Sequence, residues 1–303
     1  MKILITDFIS FEGKEILQRE GFEVIEKIGL SKKELKTVIE GVDGIIVRSK
    51  TKLDKEIIES TNNLKVIGRA GTGLDNIDLE AAKEKNIEVL NTPEAAAISV
   101  AELTLGLIFA CVRNIKKSTL FLKEGKWEKE KLKGMEIYGK TLGIIGLGRI
   151  GKEVAKRALS LGMKVIFCDP CVDYFEGTEK VSLDTLYSLS DIITVHIPLI
   201  SQTCHLISQD AFSKMKEGAI FINAARGGIV DEEALYEALI KGKLFAAGLD
   251  VFEKEPAIKN KLLELSNVVA TPHLGAQTKE AQKRVSIQIV EKMVKFLKEN
   301  HSL

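Results

Sequence analysis

Residues 141–151 read Thr-Leu-Gly-Ile-Ile-Gly-Leu-Gly-Arg-Ile-Gly. Gly146, Gly148 and Gly151 stand there in a G-x-G-x-x-G spacing, which alone is a weak signal. Its surroundings strengthen it. A β-branched run precedes it, the amphipathic stretch Lys152–Leu161 follows, and a second apolar run, Lys164–Cys168, ends at Asp169, 18 residues after Gly151. Strand, glycine turn, helix, strand and acid form the whole context of a dinucleotide-binding βαβ unit. Gly146 permits the tight turn, Gly148 lets the backbone approach a pyrophosphate, and Gly151 lets helix pack on strand. The helix N-terminus offers free N–H groups and a positive dipole to the phosphates. Asp169 would accept hydrogen bonds from the adenosine ribose hydroxyls and repel a 2′-phosphate. The following Pro170-Cys171-Val172 supply no Arg or Lys, so the expected dinucleotide is NAD in preference to NADP.

Working outward, short β-branched runs alternate with amphipathic stretches. Upstream, strands are expected at Lys2–Thr6, Phe22–Glu26, Gly44–Arg48, Lys65–Gly68 and Glu88–Leu90. Helices between them include Ser31–Glu40, with Ser31 as N-cap and Glu34 completing a capping box, and Asp78–Lys85. One long helix is expected over about Ala95–Glu124, after the stop at Asn91-Thr92-Pro93. Around the fingerprint the strands are Thr141–Ile145, Lys164–Cys168, Ile192–His196, Ala219–Asn223, Phe245–Asp250 and Val268–Thr271. A last helix covers 278–299, with Thr278 as cap. Strands alternating with helices predict two doubly wound α/β domains with parallel sheets and a ligand cleft between them.

The chain has 303 residues, 45% hydrophobic and 29% charged, with a formal net charge of +1. That composition excludes a disordered chain, a collagen-like fibre and a disulfide scaffold, and it lacks the basic excess of a dedicated nucleic-acid binder. Its first apolar run is three residues long and soon meets Asp7, so no signal peptide is expected; with four cysteines, the prediction is a reducing cytoplasm. The apolar stretch Ala95–Val112 is interrupted by Ser99, Glu102 and Thr104. It reads as a buried or interface helix in preference to a membrane span. A homodimer interface is one sink for it, burial between lobes the other. Cys168 and Cys171 form a C-x-x-C, but no second pair completes a zinc set, so no metal is expected.

Hydride transfer to a nicotinamide needs a group to move the hydroxyl proton, and histidine suits that task at neutral pH. Of four histidines, His301 lies in the tail and His205 has no obvious partner. His196 ends a strand and is either a minor candidate or a packed core histidine. His273, in Thr-Pro-His-Leu-Gly, follows another strand. Asp250-Val-Phe-Glu-Lys-Glu-Pro brings Asp250 and Glu255 to the same rim, where a carboxylate would orient the imidazole. Arginine is scarce, 8 against 36 lysines. Arg226, in Asn-Ala-Ala-Arg-Gly-Gly, can clamp a carboxylate in two-point fashion; the alternative is a surface salt bridge. Arg48, at the end of a first-domain strand, carries the same two readings.

Together these segments resemble the D-isomer-specific 2-hydroxyacid dehydrogenase family along essentially the whole chain. Its motifs are Gly146–Gly151, Val195-His-Ile-Pro-Leu199, Asn223-Ala-Ala-Arg-Gly-Gly-Ile-Val-Asp231, Asp250-Val-Phe and Thr271-Pro-His-Leu-Gly275. Within the family the chain looks most like the branch that oxidises D-3-phosphoglycerate with NAD, on Val47-Arg-Ser-Lys-Thr51, Gly68-Arg-Ala-Gly-Thr-Gly-Leu-Asp-Asn76, Ser99-Val-Ala-Glu-Leu103, Gly125-Lys-Trp127 and His273-Leu-Gly-Ala-Gln-Thr-Lys-Glu-Ala281. The resemblance implies a catalytic trio of Arg226, Glu255 and His273. It implies a discontinuous, flavodoxin-like substrate domain, residues 1–93 plus 275–303, and an NAD-binding Rossmann domain, 94–274. NAD would be lined by Thr72, Arg149, Ile150, Asp169, Ile197, Pro198, Ala224, Ala225, Arg226, Asp250 and His273-Leu-Gly-Ala276, beside the three fingerprint glycines. Substrate would meet Arg48 and Ser49 through its phosphate, and Gly71-Thr72-Gly73 and Arg226 through its carboxylate. Dimers through the nucleotide domain are implied as well. Glu94-Ala-Ala-Ala97 departs from the branch, which often carries Asn or Ser there, and Cys168 stands where an aromatic is common. The chain ends at Leu303, so serine feedback through a C-terminal regulatory domain is not expected. Rival readings are a glyoxylate or hydroxypyruvate reductase, a D-lactate dehydrogenase, and an NAD-sensing, corepressor-like interaction protein.

Overall fold

The computed structural model describes residues 1–300, so His301 lies outside the described residues. The chain divides into two compact units, Met1–Ala97 with 276–303 and Ile98–Gly275.

In the first unit, β1 (Lys2–Ile5), β2 (Glu23–Glu26), β3 (Gly44–Val47), β4 (Val66–Arg69) and β5 (Glu88–Asn91) form a wholly parallel sheet in the order β2-β1-β3-β4-β5. This is the flavodoxin-like order. Helix starts are written into the sequence. Ser31 and Glu34 form a complete capping box for Lys32–Ile39, and Asp54 and Asp78 cap Lys55–Glu59 and Leu79–Glu84. These three helices bury Leu35, Ile39, Ile57, Ile58, Ala81 and Ala82 against Leu4, Ile45, Val47 and Ile67. The final helix, Lys279–Asn300, covers sheet residues of the same unit. Its Met293 packs where side chains on Gly44 and Gly68 would stand. The Ser10 N–H donates to Ser286 Oγ (2.9 Å), tying the helix Phe11–Arg19 to it.

In the second unit, β6 (Thr141–Ile145), β7 (Lys164–Cys168), β8 (Thr178–Lys180), β9 (Ile192–Val195), β10 (Ala219–Asn223), β11 (Leu244–Leu249) and β12 (Val268–Ala270) form another parallel sheet, ordered β12-β11-β10-β9-β6-β7-β8. That is the Rossmann order with one strand added beyond the sixth. Both faces are covered. Leu142, Ile144, Val165 and Phe167 meet helices Ala97–Val112 and Arg149–Ser160, while Ile145, Ile193, Val195, Phe221 and Leu249 meet Leu183–Leu189, Gln209–Lys214 and Glu232–Ile240. Strands buried on both faces read as continuous apolar runs, which is why their positions were legible.

Two expectations are corrected. The long helix over Ala95–Glu124 is broken into Ala97–Val112 and Ile115–Lys123, bent by 57° at Asn114. Asn114 takes a left-handed conformation (φ 53°), which asparagine tolerates better than most residues. The strand β8 was not expected, because its three residues at the sheet edge are largely exposed and carry no apolar run. No single described helix is long and apolar enough to cross a membrane, although the bent pair passes by length and composition.

Met293 is fully buried between the last helix and the first sheet. Met293→Ala should cost about 2–5 kcal/mol of stability through the cavity it leaves. Urea unfolding measures this; a loss below about 1 kcal/mol would mean the helix is not anchored there.

Candidate active site

At the C-terminal end of β6 the chain turns through Gly146 (φ +92°), where a Cβ would stand 2.6 Å from the His196 carbonyl oxygen. A Cβ on Gly151 would overlap the Gly146 oxygen. Both glycines are thus required by the chain's own packing. Gly148 is different. Its φ is an ordinary −72°, and a Cβ there would meet nothing within 4 Å. The open space at Gly148 leaves room for a group from outside the chain. Gly148 is also the N-cap of Arg149–Ser160 and offers no side chain to the first helical N–H groups. Such a cradle fits a pyrophosphate.

Asp169 follows β7. Its Oδ2 accepts from the Leu147 N–H (2.7 Å), and its Oδ1 from the N–H groups of Cys171 (2.7 Å) and Val172 (3.0 Å). This carboxylate joins the glycine turn to the turn after β7 while keeping lone-pair capacity for a ribose hydroxyl. The thiols of Cys168 and Cys171 are free. Among the described residues no cluster of three His, Cys, Asp or Glu could hold a metal.

The remaining candidates of this unit also follow strand C-termini. Ile197 and Pro198 come after β9, with Ile197 against Gly146. Ala224 and Ala225, both buried, come after β10 with Arg226. Asn223 clasps that turn: its Nδ2 donates to the Arg226 oxygen (2.9 Å) and its Oδ1 accepts from the Ala225 N–H (3.0 Å). Arg226 Nη1 donates to the Ala225 oxygen (2.7 Å). A Cβ on Gly227 would overlap the Phe252 carbonyl, so only glycine lets the Arg226 turn lie on the 250–255 segment.

Asp250 is 1% exposed and organises the loop after β12. Its backbone oxygen accepts from the His273 N–H (2.8 Å). Its Oδ1 accepts from Thr271 Oγ1 (2.6 Å) and the Leu274 N–H (2.6 Å), and its Oδ2 from the Gly275 N–H (2.9 Å). Burial pushes the Asp250 carboxyl above the usual carboxylate range, and these three donors oppose the shift. Ser99 Oγ holds the Gly275 oxygen (2.7 Å). In this frame His273 adopts φ +55°, and its Nδ1 lies 2.8 Å from Glu255 Oε2. Glu255 Oε1 accepts the Phe252 N–H (3.2 Å). The structure therefore brings His273 and Glu255 into direct contact. Sequence reasoning missed the holding roles of Thr271 and Asn223, although both stand inside the quoted motifs.

In the first unit, Arg48 and Ser49 follow β3. The Arg48 N–H donates to Asp7 Oδ2 (2.6 Å), and Asn76 Nδ2 donates to the Arg48 oxygen (2.7 Å). Ser49 is exposed. Gly71 (φ +146°) lies under the Arg69 guanidinium, its oxygen accepting the Thr92 N–H (2.9 Å). The Thr72 oxygen accepts from Asn91 Nδ2 (2.7 Å), and Gly73 is half-buried. Ala276 accepts from Gln282 Nε2 (2.6 Å).

The other histidines resolve differently. His205 has a partner after all: its Nε2 lies 3.0 Å from Glu253 Oε1, a contact between distant loops that only the fold creates. His196 Nε2 meets Thr194 Oγ1 at 3.0 Å, its Nδ1 is buried without a partner, and burial pushes its pKa down to about 3. A group that weakly basic is not a proton acceptor at neutral pH. The unfolded chain, with a His196 pKa near 6.5, takes up a proton that the native protein refuses. Its contribution is whole above that pH and is lost toward pH 3, by up to about 1.4 kcal/mol per pH unit. Stability between pH 7 and 4.5 should therefore fall more steeply in the wild type than in His196→Leu. Equal slopes in urea titrations would remove His196 from the acid response.

Comparison with known proteins adds to this geometry. Residues 105–275 match the family profile described as D-isomer specific 2-hydroxyacid dehydrogenase, NAD binding domain. Across 301 residues the chain is 54% identical to a hydroxypyruvate reductase of Thermotoga maritima, covering 98% of each chain. Across 303 residues it is 50% identical to a D-3-phosphoglycerate dehydrogenase of Methanocaldococcus jannaschii, covering 98% of this chain and 58% of that one, so it spans little over half that relative's length. A crystal structure of a protein from Thermus thermophilus superposes with a TM-score of 0.92 at 36% identity, covering 99% of this chain and 97% of the other.

Proposed function

The chain belongs to the D-isomer-specific 2-hydroxyacid dehydrogenase family and carries its NAD-binding domain, and from that premise we propose that it oxidises D-3-phosphoglycerate to 3-phosphohydroxypyruvate, the first step of phosphorylated serine biosynthesis. The observation that carries the chemistry is the His273–Glu255 pair at 2.8 Å. Glu255 occupies Nδ1, so Nε2 is the nitrogen left to meet a substrate hydroxyl. His273 takes the C2 hydroxyl proton while the C2–H bond breaks, and Glu255 stabilises the imidazolium that forms. NAD, when bound, supplies the hydride acceptor. Arg226 donates to the C2 oxygen as it becomes a carbonyl. The reading gives the substrate carboxylate to the backbone of Gly71–Gly73 and the phosphate to Arg48 and Ser49. It gives the pyrophosphate to the Gly146–Gly151 turn, the ribose to Asp169 and the carboxamide to the remaining lone pair of Asp250.

A second reading, reduction of hydroxypyruvate, is favoured by the Thermotoga maritima relative, whose match covers 98% of each chain. Steady-state kinetics with 3-phosphohydroxypyruvate, hydroxypyruvate, glyoxylate and pyruvate separate the two. The highest kcat/KM is expected for the phosphorylated acid; preference for hydroxypyruvate would assign the second reading. His273→Ala should lower kcat by about 10²–10⁴-fold while NAD still binds. Near-normal turnover in that variant would sink the assignment.

A homodimer through the second unit is the natural cover for its exposed apolar groups. Phe109, Ile115, Leu120 and Leu122 stand 38%, 50%, 39% and 59% exposed on two consecutive helices, and Ile115–Lys123 buries none of its residues. Such a patch on a lone chain favours association. Ile115→Glu with Leu122→Glu should convert a dimer to a monomer in light scattering. A wild type that is already monomeric at micromolar concentration overturns this.

A further inference from the structure

Two glutamates, Glu253 and Glu255, flank Lys254 in the segment after β11, and each meets a histidine from a different loop. Glu255 Oε2 reaches His273 Nδ1 at 2.8 Å. Glu253 Oε1 reaches His205 Nε2 at 3.0 Å. The second contact has no part in the chemistry described above, yet it sits two residues from the first. An ionised carboxylate can only accept, so His205 Nε2 is the donor.

Glu253 is fixed from another direction as well. Its Oε1 accepts the N–H of Glu232 (3.1 Å), the first residue of the helix Glu232–Ile240, and its own N–H donates to Glu232 Oε1 (2.7 Å). A helix N-terminus leaves its first N–H groups without intrahelical partners and favours a negative charge beside them. Glu232 Oε2 accepts from Asn260 Nδ2 (2.7 Å). To this cluster of two carboxylates His205 brings an N–H donor from the loop after β9.

The backbone of His205 is tied to a third loop. Its N–H donates to the Gly228 oxygen (2.9 Å), two residues past Arg226, and the Ile207 N–H donates to the Ile229 oxygen (3.1 Å). His205 therefore joins the loops that follow β9, β10 and β11 at one point. It does so in a left-handed conformation, φ +50°, which disfavours residues with a side chain. Glycine would make this turn without strain. The ring is what reaches Glu253, and the chain bears strain to hold it there.

We propose that His205 is a positioning residue for proton transfer: by clamping Glu253 it fixes the 253–255 segment and so holds the Glu255 carboxylate at His273 Nδ1. The link is short. Glu255 Oε1 accepts the Phe252 N–H (3.2 Å), and the Phe252 carbonyl lies where a Cβ on Gly227 would stand, so the backbone from 252 to 255 has little room to shift. This rests on the reading of Glu255 and His273 as the proton-transfer pair. It does not depend on which 2-oxo acid is the substrate.

The test uses the full chain with NADH and whichever of 3-phosphohydroxypyruvate and hydroxypyruvate it reduces faster. Hydride transfer is followed in single turnovers, so that product release does not mask the step. His205→Gly removes the ring and relieves the backbone, so Tm should hold. Hydride transfer should nevertheless slow about three- to tenfold, the scale of one partly exposed hydrogen bond to a charge, while the affinities for NADH and the 2-oxo acid stay unchanged. His205→Asn, which tolerates the same φ, carries the test if the glycine variant does not fold. Glu255→Gln should itself slow the step, and adding His205→Gly to it should cost less than about twofold more, because the route through Glu255 is already cut. Full additivity, an unchanged rate in His205→Gly, or a loss felt in substrate affinity overturns the proposal and leaves the His273–Glu255 reading standing. A normal rate in Glu255→Gln overturns both.

Discussion

A single buried carboxylate, Asp250, holds the loop after β12 of the second unit in place. It stands at the end of β11, 1% exposed, and directs the chain emerging from the neighbouring β12. One carbonyl and two carboxylate oxygens collect the N–H groups of His273, Leu274 and Gly275 and the Thr271 hydroxyl. An ionised carboxylate inside a protein is costly unless its lone pairs are satisfied, and each loop donor left without it would be stranded too. The two costs cancel only in one geometry. That geometry forces His273 to φ +55° and sets its ring beside Glu255. The unusual backbone of His273 is thus a consequence of how Asp250 is satisfied.

The same logic extends along the sheet. Every strand of the second unit runs parallel, so every following loop leaves from one edge. Each loop is then held by a side chain at a strand end: the half-buried Asp169 for the glycine turn, and the buried Asn223 and Asp250 for the Arg226 turn and the His273 loop. Gly227 removes the one side chain that would keep the Arg226 turn off the 250–255 segment. In the first unit the last helix plays the corresponding part, packing Met293 into the space above Gly44 and Gly68 and presenting Gln282 to Arg48.

Much of this was legible in advance because buried parallel strands must be apolar without interruption, and because helix caps are local. β6, β7 and β10 fall on the expected residues, and the Ser31–Glu34 capping box forms as its spacing predicts. Elements failed where local signals were weak or misleading. β8 is exposed and pairs only with β7, so neither pattern nor composition marks it. The break at Asn114 depends on a backbone excursion that an apolar helix pattern conceals. The sequence offers His205 no obvious partner because Glu253 lies 48 residues away, on another loop.

The sequence by itself determined the fold class, the family, the dinucleotide fingerprint and the residue types available for proton transfer and anion binding. Those follow from periodicity, glycine spacing and the scarcity of arginine and histidine, all of which are properties of the chain read in one dimension. Only the tertiary structure decided which histidine meets a carboxylate and how arginine charge is matched. His196 and His273 both follow strands, but one has a buried, unpartnered ring nitrogen and the other pairs with a carboxylate. Arg48 faces an amide supplied by residue 282 and not an acid. Protonation and charge depend on burial and on partners brought from distant parts of the chain, and no local pattern encodes either.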